Sequence, residues 1–212
     1  MSSMRLPFVF QPIDTRDGML MAKTTTTTSA KTTTRTAGSR APGSASAGAH
    51  TTRREHAEKG FVASPELVAD LQRVHVDLIE LHLQGKQAHW NVVGKNFRDL
   101  HLQLDEIIEA AREFSDEVAE RLRALHATPD GRSAIVAKTT SLPEFPNGEV
   151  DTAETVDLIT ERLEATVATM REVHDEVDEA DPTSADLLHA IIAALEQYAW
   201  MVSAENRTPA TR

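Results

Sequence analysis

The sequence predicts an all-α protein whose main body is a four-helix bundle. Four long segments carry apolar residues at helical spacing, each is bounded by capping or helix-breaking residues, and no β-hairpin signal occurs. Each predicted helix has ~25–30 residues and a length of roughly 40 Å, so the four can pack side by side. A link of about 25 residues joins the second and third helices, which is longer than a tight turn needs. It favours a crossover along the bundle.

Start and stop signals set the bounds of the first two helices. Ser64 offers a capping hydroxyl, followed by Pro and Glu at the first two helical positions, and the apolar stripe continues to about Asn91. Gly94 interrupts it. The second helix is predicted from about Asn96 to His126, before a Thr-Pro-Asp-Gly stop.

The second half of the bundle follows the long link. The link itself carries one predicted short helix over 132–138. Asp151, with Glu154 three residues later, resembles a capping box at the start of the third helix, which ends at Asp181 before a proline. The fourth helix is predicted to extend to about Arg207.

Composition divides the chain into a flexible Thr/Ser/Ala-rich basic N-terminal arm over 1–60, the bundle over 61–207 and a short C-terminal tail over 208–212. The arm has nine basic and four acidic residues, a net charge of +5, whereas 61–212 carries −16. Between 23 and 54 the arm has too few apolar residues to offset the entropy of ordering, so we expect disorder there.

Composition also excludes several functional classes. The absence of Cys removes disulfide scaffolds, thiol catalysis and Cys-based metal sites, so any metal site must use His and carboxylates. No run of ~18 apolar residues predicts a membrane span, and the N-terminus lacks a secretory signal. The expected location is the cytoplasm, with no membrane partner.

The second helix carries a stripe of potential metal ligands. With His101 at 0°, Asp105 falls at ~40°, Asp116 at ~60° and Glu120 at ~100° around the helix. Each i,i+4 pair can reach a common ion, and imidazole with carboxylate is a suitable ligand set for iron. Zinc and manganese remain open for the same donors.

The two pairs cannot share one ion within a single chain, because Asp105 and Asp116 are roughly 16 Å apart along the helix. A second, antiparallel copy of the helix brings one chain's 101/105 pair to the other's 116/120 pair if a two-fold axis passes between residues 110 and 111. We expect Ala110 and Ala111 to lie at that crossing, where small side chains permit close approach. Two identical sites per dimer would follow.

These residues belong to a longer pattern that resembles the signature of the Dps family, the mini-ferritins named as DNA-binding proteins from starved cells. The resemblance covers 61–207. The matching residues are His89, Trp90, Gly94, Phe97, His101, Asp105, Asp116 and the run 117–121.

The resemblance implies a ferritin-like four-helix bundle with a long crossover carrying a short helix, assembled into a closed dodecameric shell. It implies a ferroxidase, in which His89, His101 and Asp105 of one subunit and Asp116 and Glu120 of the neighbour bind iron. Hydrogen peroxide, or more slowly oxygen, would oxidise Fe(II), and ferric mineral would fill the shell. A homododecamer with metal sites at its two-fold interfaces is the implied assembly.

Two further roles follow from the resemblance. Asp186 matches an acidic residue at a three-fold pore, and Asp181 is a second candidate there. Trp90 follows a ligand directly and is a candidate radical quencher, although packing at the dimer interface explains it equally well.

Alternatives remain open at this point. A conventional ferritin, with its di-iron centre inside one bundle, uses a Glu-x-x-His pair, and this sequence contains none. A structural nucleoid-compacting DNA-binding protein with an idle iron site, and a shell that stores iron but ignores DNA, differ in what the arm does. Twelve arms of +5 would favour sequence-independent DNA binding.

Other residues carry weaker expectations. His75 and His82 precede His89 at seven-residue spacing and are candidates for an auxiliary metal track, although exposed or satisfied histidines are the commoner case. Tyr198 and Trp200 are expected in the core.

Overall fold

A computed structural model describes residues 60–210 of the chain. The five helices of that part are α1 Pro65–Asn91, α2 Phe97–Ala124, α3 Ser133–Thr139, α4 Thr152–Ala180 and α5 Pro182–Ser203. A short 3-10 helix, Ala204–Asn206, follows α5. The predicted arm lies outside the described residues except for its last residue, and so do the final two residues of the predicted tail.

The predicted caps hold two of the long helices at their N-termini. The Ser64 hydroxyl accepts a hydrogen bond from the Leu67 N–H at 3.2 Å, and the Asp151 carboxylate accepts from the N–H groups of Ala153 and Glu154 at 2.9 and 3.1 Å. Each cap satisfies donors that the first helical turn leaves unpaired.

The four long helices form one bundle in which α1 packs on α2 and α4, and α5 packs on α4 and α2. Each contributes fully buried side chains to a common apolar core, for example Leu71, Leu104, Leu163 and Leu188. The predicted ferritin-like bundle, with a crossover carrying one short helix, is therefore confirmed.

A small parallel β-bridge, which the sequence did not predict, joins the two halves of the bundle. β1 (Val92–Val93) pairs with β2 (Val150–Asp151). Gly94 follows with φ of 124°, and a Cβ there would lie 3.2 Å from the Thr152 hydroxyl, so this turn favours glycine. The bridge fixes the turn that leads from α1 into α2.

Buried Asp77 of α1 holds the middle of the crossover against the bundle. Its carboxylate accepts hydrogen bonds from the Thr140 hydroxyl at 2.9 Å, the Ser141 N–H at 2.8 Å and the Thr169 hydroxyl of α4 at 2.7 Å. Because a buried carboxylate is costly without such partners, this network fixes the path of the link.

Arg162 of α4 holds the following stretch of the crossover and is only 1% exposed. Its guanidinium donates to the Gln84 side chain at 2.8 Å and to the Glu144 carbonyl at 2.9 Å, and it lies 5.3 Å from the centre of the Phe145 ring. The crossover is thus tied to the bundle by two buried charged groups.

The last helix is the most apolar of the described chain. By length and composition alone, Pro182–Asn206 could cross a membrane, with a mean hydropathy of 1.2. Core helices of bundles meet the same criteria, and Leu188, Ile191 and Leu195 are fully buried here. We therefore describe α5 as a bundle helix.

The expectation that Trp200 lies in the core is wrong, because its side chain is 62% exposed. The buried positions of α5 include Leu195, Ala199 and Val202. Trp200 follows Ala199 by one residue, so it is rotated by ~100° around the helix and points away from the core. Tyr198 is partly buried and packs against the core, as expected.

Candidate metal centre

The last turn of α1 and the first two turns of α2 bring three potential metal ligands together. One donor atom each from His89, His101 and Asp105 lies within 4.8 Å of the others. The short connection between α1 and α2 makes this possible, because it places the end of one helix beside the start of the next. Within the described residues, no other group of three such side chains meets this criterion.

The two imidazoles are held in defined orientations. Their rings stack with centroids 3.6 Å apart and planes inclined by 25°. The Nδ1 of His101 donates to the His89 carbonyl at 3.1 Å, which leaves the Nε2 of His101 as a free acceptor. Phe97 lies against His101 at 5.0 Å between ring centres.

The His89 side chain is 12% exposed, and both of its ring nitrogens are buried and lack a hydrogen bond. Its Nε2 lies 3.0 Å from Asp105 Oδ2, but this contact lacks the directionality of a hydrogen bond. Burial lowers the pKa of His89 despite the nearby Asp105 carboxylate, which favours the neutral, ligating form. Unpaired buried nitrogens of this kind suit a cation that supplies the missing contact.

Lys86 shares the Asp105 carboxylate with His89. The Lys86 Nζ lies 2.7 Å from Asp105 Oδ1, and its hydrogen bond is the main cause that lowers the pKa of Asp105, with His89 adding to it. The carboxylate is therefore ionised at neutral pH. A cation that binds through Asp105 must compete with the Lys86 ammonium.

Asp116 and Glu120 do not reach this cluster within the chain. Helix α2 is continuous from Phe97 to Ala124, so Asp116 lies roughly 16 Å along its axis from Asp105. Both acids are exposed. Asp116 lines a separate cavity of about 400 Å³ together with His75 and other residues of α1 and α2.

The prediction that Ala110 and Ala111 lie at the crossing of the two α2 helices is wrong. Ala111 is completely buried in its own bundle, and Ala110 is almost buried. On the face that carries the ligands, the helical period places Glu109 at ~80° and Arg112 at ~20° from His101. These two form an exposed ion pair at 2.6 Å, so charged side chains lie midway along the stripe.

Neither candidate for the auxiliary track joins the cluster. His75 is 6% exposed, its Nδ1 donates to the Ser115 carbonyl at 3.0 Å, and burial lowers its pKa. Burial also lowers the pKa of His82, with help from the positive charges of Arg112 and Lys86.

The remaining candidate residues differ in their surroundings. Asp181 pairs with Arg121 at 2.6 Å. Burial opposes ionisation of Asp181, but hydrogen bonds from Arg121 and Ser184 outweigh it and lower the pKa. By contrast, the Asp186 side chain is 88% exposed and Trp90 is 71% exposed.

Comparison with known proteins places this bundle in a family. Residues 68–208 match the ferritin-like domain. The chain is 36% identical over 137 residues to DNA protection during starvation protein 2 of Deinococcus radiodurans, covering 65% of this chain and 57% of that protein. It is 33% identical over 142 residues to DNA protection during starvation protein of Mycolicibacterium smegmatis, covering 65% of this chain and 75% of that protein. The chain belongs to the Dps family of ferritin-like proteins.

Solved Dps structures have the same fold. Dps92 from Deinococcus radiodurans superposes with a TM-score of 0.65 at 35% identity, covering 68% of this chain and 88% of that one. Dps from Microbacterium arborescens in the high iron form superposes with a TM-score of 0.64 at 31% identity, covering 69% and 99%.

Sequence reasoning missed two features of this Dps-family chain. Lys86 precedes His89 by one helical turn, which was a usable signal for its presence at the cluster. His174 and His189 lie at equal distances from the Asp181–Pro182 turn between α4 and α5. That symmetry could have predicted their contact, because a helical hairpin brings such positions together.

Proposed function

We propose that the protein is a ferroxidase that stores iron, with Fe(II) as its substrate. His89, His101 and Asp105 of one subunit would bind Fe(II) together with Asp116 and Glu120 of the neighbouring subunit. The observation that carries the proposal is the three-residue cluster in which His89 has two buried nitrogens without hydrogen bonds. Imidazole and carboxylate are donors suited to Fe(II).

The chemistry is an oxidation of two ferrous ions by one peroxide molecule. Each Fe(II) gives up one electron, the O–O bond breaks, and both oxygens end as water or as oxide in the ferric product. Hydrolysis of Fe(III) to the mineral releases protons. Because peroxide takes both electrons together, no hydroxyl radical is set free near DNA. Oxygen serves as the slower oxidant.

An antiparallel pair of α2 helices across a two-fold axis would complete the site. The register that puts 101 opposite 120 and 105 opposite 116 also puts Glu109 opposite Arg112 of the partner subunit. The two exposed ion pairs, one within each chain, could then be exchanged for two reciprocal pairs across the interface. This charge complementarity supports the two-fold dimer, and twelve subunits would close the shell.

The remaining roles belong to this assembly. Asp186 would line a three-fold pore that concentrates Fe(II), with Asp181, which pairs with Arg121, as the second candidate. Trp90 would lie near the oxidation site and quench radicals. We place the protein in the cytoplasm, where it protects DNA from oxidative damage.

DNA binding through the arm is a second proposed function. The +5 charge of 1–60 contrasts with −16 over 61–212, so the arm is the part of the chain whose net charge attracts phosphates. Deletion of residues 1–54 should abolish salt-sensitive DNA binding and leave iron oxidation intact. Binding that survives the deletion would contradict a role for the arm. The alternative function is that of a structural nucleoid-compacting protein, which binds DNA through the arm and whose iron site is idle.

The test of the ferroxidase is direct. Fe(II) is added to the anaerobic protein, then peroxide or oxygen, and ferric absorbance is followed. The comparison is the double variant His101→Ala/Asp105→Ala. Fast, peroxide-driven mineral formation by the native protein alone is expected. Equal and slow oxidation by both proteins would overturn the proposal.

A further inference from the structure

A second pair of histidines lies between the last two helices, with His174 on α4 and His189 on α5. The Nε2 atoms of His174 and His189 lie 2.6 Å apart, and the ring centroids are 4.5 Å apart with planes inclined by 34°. The α4–α5 turn makes this contact, because the two residues are equally distant from it. Nothing in the proposed ferroxidase centre uses either side chain.

The other nitrogen of each ring faces a carboxylate. The Nδ1 of His174 lies 3.1 Å from Asp175 Oδ1, and the Nδ1 of His189 lies 3.8 Å from Asp186 Oδ1. A carboxylate next to one ring nitrogen favours the tautomer that carries the proton there. In the apo pair one ring donates an N–H to the other ring across the 2.6 Å Nε2 contact. A cation can replace that proton when each ring carries its remaining proton on Nδ1.

This arrangement is the one that metal-binding histidines adopt. A ligating imidazole usually donates its remaining N–H to a carboxylate or carbonyl, which fixes the tautomer and raises the basicity of the ligating nitrogen. Here the Nδ1 of His174 has a carboxylate at hydrogen-bond distance, the Nδ1 of His189 has one at 3.8 Å, and the two Nε2 atoms converge on one point. Solvated surface histidines do not require both a carboxylate beside each Nδ1 and a close contact between their Nε2 atoms.

The surroundings leave room for an ion and its water ligands. A cavity of about 260 Å³ is lined by Arg171, His174, Asp175, His189 and Ile192. The His174 side chain is 21% exposed and that of His189 is 59% exposed. The Arg171 guanidinium pairs with Glu196, so a carboxylate compensates its charge.

We propose that His174 and His189 bind a divalent transition-metal ion of the zinc or copper class through their Nε2 atoms, with water completing the coordination. Metal–nitrogen distances of ~2.0–2.1 Å in a tetrahedral site require the two Nε2 atoms to stand about 3.3 Å apart. The rings must therefore separate by less than about 1 Å from their present contact. Asp175 and Asp186 orient the two rings.

Zinc binding to the full-length protein tests the proposal. The His101→Ala/Asp105→Ala variant serves as the background, because it disrupts the cluster of His89, His101 and Asp105. We expect calorimetry with Zn²⁺ to find one site per chain in this background. Adding His189→Ala should weaken that site more than about 100-fold, the upper end for loss of an orienting partner. Because His189 is mostly exposed, folding should be unchanged. Sedimentation checks that the variant assembles like its background.

A matched pair of acidic variants separates orientation from net charge. Asp175→Asn removes the carboxylate beside His174 and should weaken Zn²⁺ binding about tenfold. Asp178→Asn removes the same charge from an exposed position on the same helix, and should leave the affinity within about twofold. Zn²⁺ should also shift the ring NMR signals of His174 and His189. Absence of a Zn²⁺ site in the background, or equal Zn²⁺ affinity after His189→Ala, would overturn the proposal.

Discussion

The two halves of α2 carry similar ligand-type residues in very different surroundings. In the N-terminal half, His101 and Asp105 meet His89 and Lys86 of α1 and form a cluster with defined geometry. In the C-terminal half, Asp116 and Glu120 are exposed. That half is tied to its own chain through Arg121, which pairs with Asp181.

The difference agrees with the proposed site divided between subunits. A single chain preorganises the nitrogen-rich half of the proposed centre and leaves the carboxylate half on an exposed helix face. Contacts within the chain stabilise the C-terminal half without using its two acids. We therefore expect variants in the two halves to have similar effects on iron oxidation but different effects on the isolated fold.

The largest effect is expected for Glu120→Gln. Loss of a proposed direct ligand should slow peroxide-driven iron oxidation more than about 100-fold, since loss of outer partners alone costs 10–100-fold. Because Glu120 is exposed, the thermal transition should stay within about 2 °C. Stopped-flow ferric absorbance and calorimetry check the two expectations. Glu117→Gln, also exposed on this helix, is the control, and a Glu120→Gln protein with native activity would contradict the divided site.

Arg121→Met should affect stability. It leaves Asp181 partly buried without its partner, and we expect a loss of about 3 kcal/mol in apparent free energy of unfolding at fixed protein concentration. Arg123→Met, a neighbouring exposed arginine, is the control. Urea unfolding at pH 7 measures both, and equal stability of the two variants would contradict a structural role for the pair.

The same pair predicts a pH dependence. Because the pKa of Asp181 is lower in the folded protein, its contribution is fully present above the ordinary value of about 3.9 and is lost as pH falls through the lowered pKa. Urea midpoints should therefore fall more steeply with acidification in the native protein than in Arg121→Met. Parallel pH profiles would contradict this assignment.

A smaller effect is expected at the centre of α2. Glu109→Arg places like charges opposite each other across the proposed two-fold axis and should weaken dimerisation about tenfold. Adding Arg112→Glu exchanges the charges and should restore it. Sedimentation at low and high salt checks the expected screening. Failure of the double variant to recover would contradict the proposed register.

The smallest effect concerns Lys86. Lys86→Met removes the ammonium that competes for Asp105, so Zn²⁺, used as a redox-inert probe, should bind the cluster a few-fold more tightly. Lys95→Met, outside the cluster, is the control. Weaker binding after Lys86→Met would show that the lysine supports the cluster instead of competing with a cation.

Local sequence signals were sufficient for the helices and for the pairing of His101 with Asp105, whereas only the resemblance to the Dps family placed His89 with them. Caps such as Ser64 and Asp151 depend on neighbouring residues, and His101 with Asp105 depends on helical period alone. The β-bridge at Val92 was missed because it depends on two residues far apart in the chain. Arg162 was also missed, since its partners Gln84 and Glu144 come from other parts of the chain.

Two wrong expectations share a cause. Ala111 was placed at the dimer crossing by its position along the axis, although its angle points it into the core. The residue type predicts Trp200 in the core, although it follows buried Ala199 by one residue and is therefore rotated by ~100° from the buried stripe. In both cases the angle around the helix would have corrected the prediction.

Mixing the two defective halves tests the divided site most directly. His101→Ala and Glu120→Gln proteins are each expected to be inactive as homodimers. In a mixed dimer, one site carries both changes and the other carries neither. Co-assembly should therefore restore peroxide-driven iron oxidation, to about one quarter of the native rate for random pairing of equal amounts. Activity that stays absent in verified mixed dimers would contradict a site built from both halves of α2 across two subunits.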